Sequence, residues 1–281
     1  MNRDDYKPNE SKPAPYKPVR ALSRGLALLQ ILNREGPLSV QGLSNSSGLN
    51  RTTVYRLLET LERDGFVQSG ALSSSLWHLK IGVKSLSEGY DHRDWVTQLG
   101  APVLGKLLKK VIWPTDLAAF DGRGMLIRET THKFSPLSNH RSMVGVRWPV
   151  LSSSLGRAFF CYSDEKTRAS ILRVLKASND PADRVAKDQT HVANLVRVTR
   201  ERGYAQSIDE TAQGISSIAR PVFYRGQVVA SINMVFFSSA LSPKVAADKH
   251  LSDINQAVTE LEENLLDSSD VFKQQLEDQA Y

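Results

Sequence analysis

From Arg20 to Leu79 the hydrophobic spacing switches three times, and glycines or serines mark each switch. ALSRGLALLQILNREG sets Leu22, Leu26, Leu29 and Ile31 or Leu32 at helical spacing and stops at Gly36-Pro37. LSVQGLSNSSGLNRTTVYRLLETLERDGFVQSG reads as two helices joined by a tight, Gly-containing turn. In the second of these, Val54, Leu57, Leu58 and Leu61 form an i, i+3, i+4, i+7 stripe, with Asn50 suited to the N-cap and Gly65 to the C′ position. Phe66-Val67-Gln68 and Leu76-Trp77-His78-Leu79 flank a Ser/Gly-rich connection, as in a two-stranded hairpin. Short helices, a glycine turn and a hairpin in this order describe a winged helix-turn-helix.

Such a module reads DNA only if its second helix buries one face and leaves its polar N-terminal face free. Here the apolar stripe points inward and leaves Arg51, Thr52, Thr53, Tyr55 and Arg56 at or near the exposed start. Arginine can address guanine O6 and N7, threonine offers a hydroxyl or a methyl, and tyrosine can reach a phosphate. Arg20 and Arg24, which precede or open the first helix, are placed for backbone or minor-groove contacts. The hairpin tip, Ser69 to Ser75, is uncharged, so the wing is expected to add only weak contacts. The plainer alternative is that these side chains are ordinary solvated surface.

Charge is uneven along the chain. Residues 1–84 hold 12 Lys+Arg against 7 Asp+Glu, whereas residues 85–281 hold 24 against 23. A basic segment is thus attached to a nearly neutral one, as suits a partner that is a polyanion. One cysteine, Cys161, excludes a disulfide framework and any cysteine-rich zinc module. The N-terminus carries no apolar core of a secretory signal, and no run approaches the length of a membrane span. The expectation is a soluble, cytoplasmic protein with no membrane partner.

Residues 1–18, with four prolines among polar residues, read as a flexible tail. Residues 80–112 read as mostly helical, with a connecting helix through Tyr90. Beyond Pro114, TDLAAF, GMLIRETT and MVGVRWPVL are β-like, and LGRAFFCY, EKTRASILRVLK and HVANLVRVTRERG are helix-like. YAQSIDE, GISSIARPVFY and QVVASINMVFF then form a run of antiparallel strands, and a last helix follows Ser242-Pro243. There is no internal repeat to indicate a solenoid.

SRGLALLQILNREGPLSVQGLSNSSGLNRTTVYRLLETLERDGFV resembles the N-terminal module of the IclR family of bacterial transcription regulators. WPVLSSSLGRAFFCY is similar to the family's segment leading into an effector-domain helix, where small residues precede a Gly-Lys/Arg-Ala step. VRVTRERGYAQSIDETAQGISSIARPVFYRGQVVASINMVF resembles the family's most diagnostic stretch, and the likeness runs from about residue 19 to 262. WPTDLAAFDGRGMLIRETTHKFSPLSNHRSMVG looks most like the branch that regulates aromatic-acid catabolism, 3-(3-hydroxyphenyl)propionate regulators above all.

The resemblance implies an α+β chain: a winged helix-turn-helix (19–80), a linker helix (81–94) and a GAF/PAS-like effector domain (95–270) whose antiparallel sheet is flanked by helices. Residues 271–281 are left as a C-terminal tail. It implies dimers, often paired into tetramers, on palindromic operator DNA, and no cofactor. The family's pocket segments map onto Ser154 and Leu155, Ser207, Ser217 and Asn233, which would hold a carboxylate or phenol through hydrogen bonds. Asn233 departs from the serine of some small-acid-binding relatives, which weighs against a pyruvate- or glyoxylate-like ligand. A ligand carboxylate also needs a cation or several donors, and Arg128, His132, Arg141 and Arg147 are the candidates. The aromatics Trp113, Phe120 and Trp148 are expected in the core. By analogy with the aromatic-acid branch, the expected sign is activation, with RNA polymerase as a partner.

An enzyme would need a constellation that is missing. No H-E-x-x-H, Walker A loop, Rossmann G-x-G-x-x-G or G-x-S-x-G occurs, and the six histidines lack metal-ligand spacing. Cys161 sits in apolar AFFCY, where a buried structural thiol is expected rather than a nucleophile. Asp209 and Glu210, adjacent on a strand, would point to opposite faces. No catalytic and no metal-binding residue is therefore assigned. The competing class is a ligand sensor or protein-interaction module whose N-terminal helices only dimerise.

Overall fold

Leu28, Leu32, Leu43, Val54, Leu58 and Val67 are almost wholly buried together, and they decide how the first unit folds. The computed structural model of the chain describes residues 19–70, 75–86, 95–140 and 142–267, which divide into two units with the boundary at Gly89 and Tyr90. Both terminal tails, the tip of the wing, the linker beyond Leu86 and Arg141 lie outside the described residues.

In the first unit, helix α1 (Arg20–Glu35) is followed by strand β1 (Leu38–Ser39) and helices α2 (Val40–Ser47) and α3 (Arg51–Arg63). The starts of α2 and α3 are capped by side chains. Ser39 Oγ accepts from the Gly42 N–H, and Asn50 Oδ1 accepts from the Thr53 N–H at 2.8 Å, satisfying donors that a helix start leaves free. The turn between α2 and α3 passes through Gly48 at φ 68°, a left-handed conformation that glycine adopts without a Cβ penalty. Strands β2 (Val67–Ser69) and β3 (Leu76–Leu79) complete a three-stranded sheet of order β1-β3-β2, the wing. A short helix α4 (Ile81–Ser85) follows; the remainder of the expected linker helix is not among the described residues.

Helical spacing in α1 does not by itself say which of its leucines are buried. Leu22 and Leu26 do not belong to the buried stripe of α1, being 62% and 48% exposed. The buried face is instead Gly25, Leu28, Leu29, Ile31 and Leu32, because the neighbouring helices meet α1 along its C-terminal half.

The second unit begins with helix α5 (Ala101–Val111), after a π-helical turn at Val96–Gly100. Its strands are β4 (Thr115–Phe120), β5 (Met125–Thr130), β6 (Arg147–Trp148), β7 (Ala205–Ile208), β8 (Ile215–Tyr224) and β9 (Gln227–Phe237). They form one antiparallel sheet of order β6-β5-β4-β9-β8-β7. Helices α6 (Ser154–Tyr162), α7 (Glu165–Ala177) and α8 (Gln189–Arg202) precede β7, and α9 (Pro243–Leu266) closes the chain's described part. Strands packed on both faces read as apolar runs rather than alternating ones. Leu117, Ile232, Met234 and Phe236 meet α5 and α9 on one side, while Met125 and Ile127 meet Phe159 and Phe160 of α6 on the other. MVGVRWPVL supplies only a two-residue strand, since Gly145 turns at φ 83° and Pro149 has no N–H to donate to a ladder.

Helix α6 lies close to the sheet because the meeting residues are small: Ala158, Ala205 and Ala219 form a buried cluster of their own. Its first turn also folds back on the preceding loop. A Cβ on Gly156 would overlap the carbonyl and Cα of Val150, so no side chain fits there without moving backbone. Gly156→Ala is therefore expected to destabilise the protein by about 3 kcal/mol. The check is a denaturant melt against wild type, with Gly105→Ala, where a Cβ meets nothing, as the control.

Candidate functional site

Two sites emerge, one in each unit. On α3, Arg51, Thr52, Tyr55 and Arg56 are exposed in its first turns, while Val54 and Leu58 are buried. Thr53 is half-buried, with its N–H held by Asn50. Leu57 and Leu61 are half-buried against the same core, as the stripe requires. Arg20 is exposed at the start of α1, and Arg24 is half-buried one turn later. Two guanidiniums and a phenol thus project from a rigid helix start, donors that suit phosphates and guanine edges.

The second site is a cleft between the sheet and the first turn of α6, with about 720 Å³ of empty space, part of it open to solvent. Register explains its floor. Pro114, Asp116, Asn233, Val235 and Ser217 stand on one face of β4, β9 and β8, since Asp116 pairs with Asn233, Asn233 with Ala219, and Ser217 with Val235. Ser154 and Leu155 come from the first turn of α6. Ser153 caps that helix by accepting from the Gly156 N–H at 3.0 Å, which leaves the first N–H groups of the helix available. Ser154 Oγ and Ser217 Oγ are 2.7 Å apart. Asn233 Oδ1 accepts from the Asp116 N–H at 2.9 Å. The loop after β5 forms a wall with His132, Leu137, Ser138 and Met143, and Trp148 adds an aromatic surface.

Of the residues expected in a pocket, Ser154, Leu155, Ser217, Asn233 and His132 line this cleft together. Ser207 does not: it pairs with Ser217 across the ladder, and its hydroxyl donates to the Ser152 carbonyl at 2.8 Å, so it braces the loop before α6. Arg147 is turned outward to Asp121, 2.7 Å from Nε to Oδ2, on an exposed edge. Burial pushes the Asp121 carboxyl up, but hydrogen bonds from Arg147 and from the backbone of Arg123 and Gly124 outweigh it and hold the group below its ordinary range. Arg128 lies beside the β-bulge between β4 and β5 and is not among the lining residues. Arg141 is outside the described residues. The expected cationic partner is thus missing from the described lining, which contains no lysine or arginine.

What the sequence reading missed is Asp116, a buried carboxylate facing the cleft. The signal was present in TDLAAF, where one acid interrupts a strand buried on both faces. Trp148, expected in the core, is half-buried and lines the cleft; Trp113 packs edge-on against Phe236 and Phe237, and Phe120 stacks on Phe159. Asp209 and Glu210 are both engaged in structural contacts. Asp209 leaves the strand at φ 55° and accepts from Ser238 Oγ, and Glu210 pairs with Arg157 at 2.5 Å. Arg157 also donates to the carbonyls of Leu151 and Gln206, at 2.8 and 2.7 Å, tying the loop before α6 to β7.

The family signature "IclR helix-turn-helix domain" matches residues 21–70, and "Bacterial transcriptional regulator IclR C-terminal" matches residues 90–262. The chain belongs to the IclR family. Members of this family are DNA-binding transcriptional regulators rather than enzymes, with a ligand-binding C-terminal domain. Among curated IclR relatives, the glycerol operon regulatory protein of Streptomyces coelicolor is 28% identical over 219 residues, covering 74% of this chain and 80% of that protein. The transcriptional repressor AllR of Escherichia coli is 27% identical over 240 residues, covering 84% and 87%. The fold matches an IclR homologue from Microbacterium hydrocarbonoxydans complexed with 4-hydroxybenzoate, with a TM-score of 0.55 at 17% identity over 88% of this chain and all of that one.

Among the described residues no helix is long and apolar enough to cross a membrane, and no group of three or more His, Cys, Asp or Glu could hold a metal ion. Cys161 is buried, and burial pushes its thiol up to about 11. At pH 8 its thiolate fraction is then about one in a thousand. A thiol reagent at pH 8 is expected to label the native protein at least about tenfold more slowly than the protein unfolded in denaturant. Equal rates would show that Cys161 is accessible in solution.

Proposed function

We propose that this IclR-family regulator binds a palindromic operator through α3 and that a small aromatic carboxylate in the C-terminal cleft controls the binding. The observation that carries the first half is the exposure of Arg51, Thr52, Tyr55 and Arg56 in the first turns of a helix fixed by a capped start and by buried Val54 and Leu58. Arg20 and Arg24 add contacts to the DNA backbone or minor groove, and the half-buried Thr53 supports the helix start. The second half rests on a cleft with hydroxyls at one end and apolar walls of Leu155, Met143 and Trp148. With no described cation in the lining, the ligand carboxylate is received by Ser154, Ser217 and the first N–H groups of α6, where the helix dipole favours negative charge. The complex of the Microbacterium homologue with 4-hydroxybenzoate supports an aromatic acid as the ligand class.

The sign of control follows the relatives rather than the aromatic-acid branch. AllR carries the name of a repressor, and we take repression relieved by ligand as the working sign. Activation through RNA polymerase, the expectation from the branch resemblance, is the outcome to test against it. A homodimer or tetramer would place two α3 helices on the two half-sites, and the regulator would act in the cytoplasm, at the nucleoid when bound.

Anisotropy of a labelled duplex from upstream of the protein's own coding region, against a scrambled duplex and across a salt series, tests this reading. Selective binding is expected, with a slope that reports several phosphate contacts. Arg51→Ala and Arg56→Ala should each weaken operator binding at least about tenfold with the melting temperature unchanged. Unchanged affinity in both variants would refute the placement of the reading helix. Release of the duplex by aromatic acids would establish relief of repression, and tighter binding would establish activation.

A further inference from the structure

The end of the cleft away from α6 holds a group that a ligand carboxylate would avoid. Asp116 is 1% exposed, and its Oδ1 accepts from Thr130 Oγ1 at 2.7 Å. His132 Nε2 stands 3.6 Å from that same oxygen, buried and without a hydrogen-bond partner. The ring is fixed from its other side, with Nδ1 2.6 Å from Ser138 Oγ. In the tautomer where the Ser138 hydroxyl donates to Nδ1, Nε2 carries the ring's proton. That N–H faces the carboxylate oxygen from beyond hydrogen-bond distance. A hydroxyl complements that arrangement, accepting from Nε2–H and donating to the carboxylate, and leaving a buried polar atom unpaired is costly.

The spacing of the two ends fits one aromatic ring. Asp116 lies opposite Asn233, Asn233 opposite Ala219, and Ser217 is two residues along the same strand from Ala219. With strands about 4.8 Å apart and a rise of about 3.4 Å per residue, the Cα atoms of Asp116 and Ser217 are about 12 Å apart. A ring bearing a polar group at each end, with a hydrogen bond of about 2.8 Å to either side, fits that span. A hydroxyl oxygen about 2.8 Å from both His132 Nε2 and Asp116 Oδ1 closes a triangle whose third side is the observed separation.

We propose that His132 and Asp116 together read a hydroxyl on the ligand, so that the cleft selects aromatic acids carrying a hydroxyl opposite the carboxylate over their unhydroxylated parents. This rests on the reading of the cleft as the effector site. Asp116 supplies an acceptor to the hydroxyl proton and rejects a second carboxylate, while His132 sets where the hydroxyl sits. Both are specificity-determining residues.

Calorimetry on the full chain with two matched pairs tests it: 4-hydroxybenzoate against benzoate, and 3-(3-hydroxyphenyl)propionate against 3-phenylpropionate. In wild type, at least one pair is expected to show the hydroxylated acid binding tenfold or more tightly. His132→Asn keeps an acceptor for Ser138 and removes Nε2. Asp116→Asn keeps an acceptor for Thr130 and removes the carboxylate that takes the hydroxyl proton. In both variants the ratio within the pair is expected to fall to near one. Because both acids are measured on one protein, a loss of folding or of general affinity cancels. Equal affinities within both pairs in wild type, or a ratio that survives both substitutions, would overturn the proposal. Absence of binding by all four acids would instead remove the aromatic-acid reading and this inference with it.

Discussion

The close approach of α6 to the sheet is the contact on which the effector unit depends. It requires three alanines where helix and strands meet, a glycine where the helix touches Val150, and a serine cap that ends the preceding loop at the right point. Larger residues at any of these points would lift the helix off the sheet and widen the cleft. Arg157 and Ser207 then hold the loop from the outer side, through the carbonyls of Leu151, Gln206 and Ser152. The pocket is thus a by-product of tight packing at one end of α6, and its polar groups are those that the packing leaves facing inward. This is why a residue expected to touch ligand, Ser207, is instead part of the brace.

The first unit solves a different problem with the same economy of contacts. Its helices are short, and isolated helices of such length are marginal in water, so they hold their shape only by burying one side against each other. Val54 and Leu58 fix the orientation of α3 from within, and Asn50 fixes where it starts. The polar face is therefore presented on a rigid support, and side chains that reach base edges lose less freedom on binding than they would from a loop. The excess positive charge of residues 1–84 adds an attraction for DNA that is independent of sequence.

The architecture was legible because its signals are local. Periodicity, caps and glycine turns place α2 and α3, and the apolar runs TDLAAF and QVVASINMVFF announce strands covered on both faces. Orientation was harder to read. Leu22 and Leu26 have the spacing of a buried stripe, yet burial in α1 is decided by where its neighbours cross it, which no single-helix pattern encodes. Arg147 looked like a ligand partner because aromatic acids want a cation, but Asp121 lies in the turn that faces it across the sheet edge. Asp116 was overlooked because a lone acid gains meaning only when register sets it beside Asn233 and under the loop carrying His132. The contributors to the cleft are far apart in sequence, and only the strand order brings them together.

Coupling between the two units obeys a limit that the geometry of the cleft makes concrete. A ligand shifts DNA binding only by its differential affinity for the states that bind and release operator. A tenfold change in operator affinity needs about 1.4 kcal/mol of such difference. One hydrogen bond to a buried, otherwise unpaired group contributes on that order. The effect of a hydroxyl bridging His132 and Asp116 is thus large enough to matter, provided that the pair is arranged differently when operator is bound. A ligand that filled the apolar part of the cleft equally in both states would bind and yet regulate nothing. On that proposal, specificity and control converge on the few buried polar atoms whose partners change, at the end of the cleft away from α6.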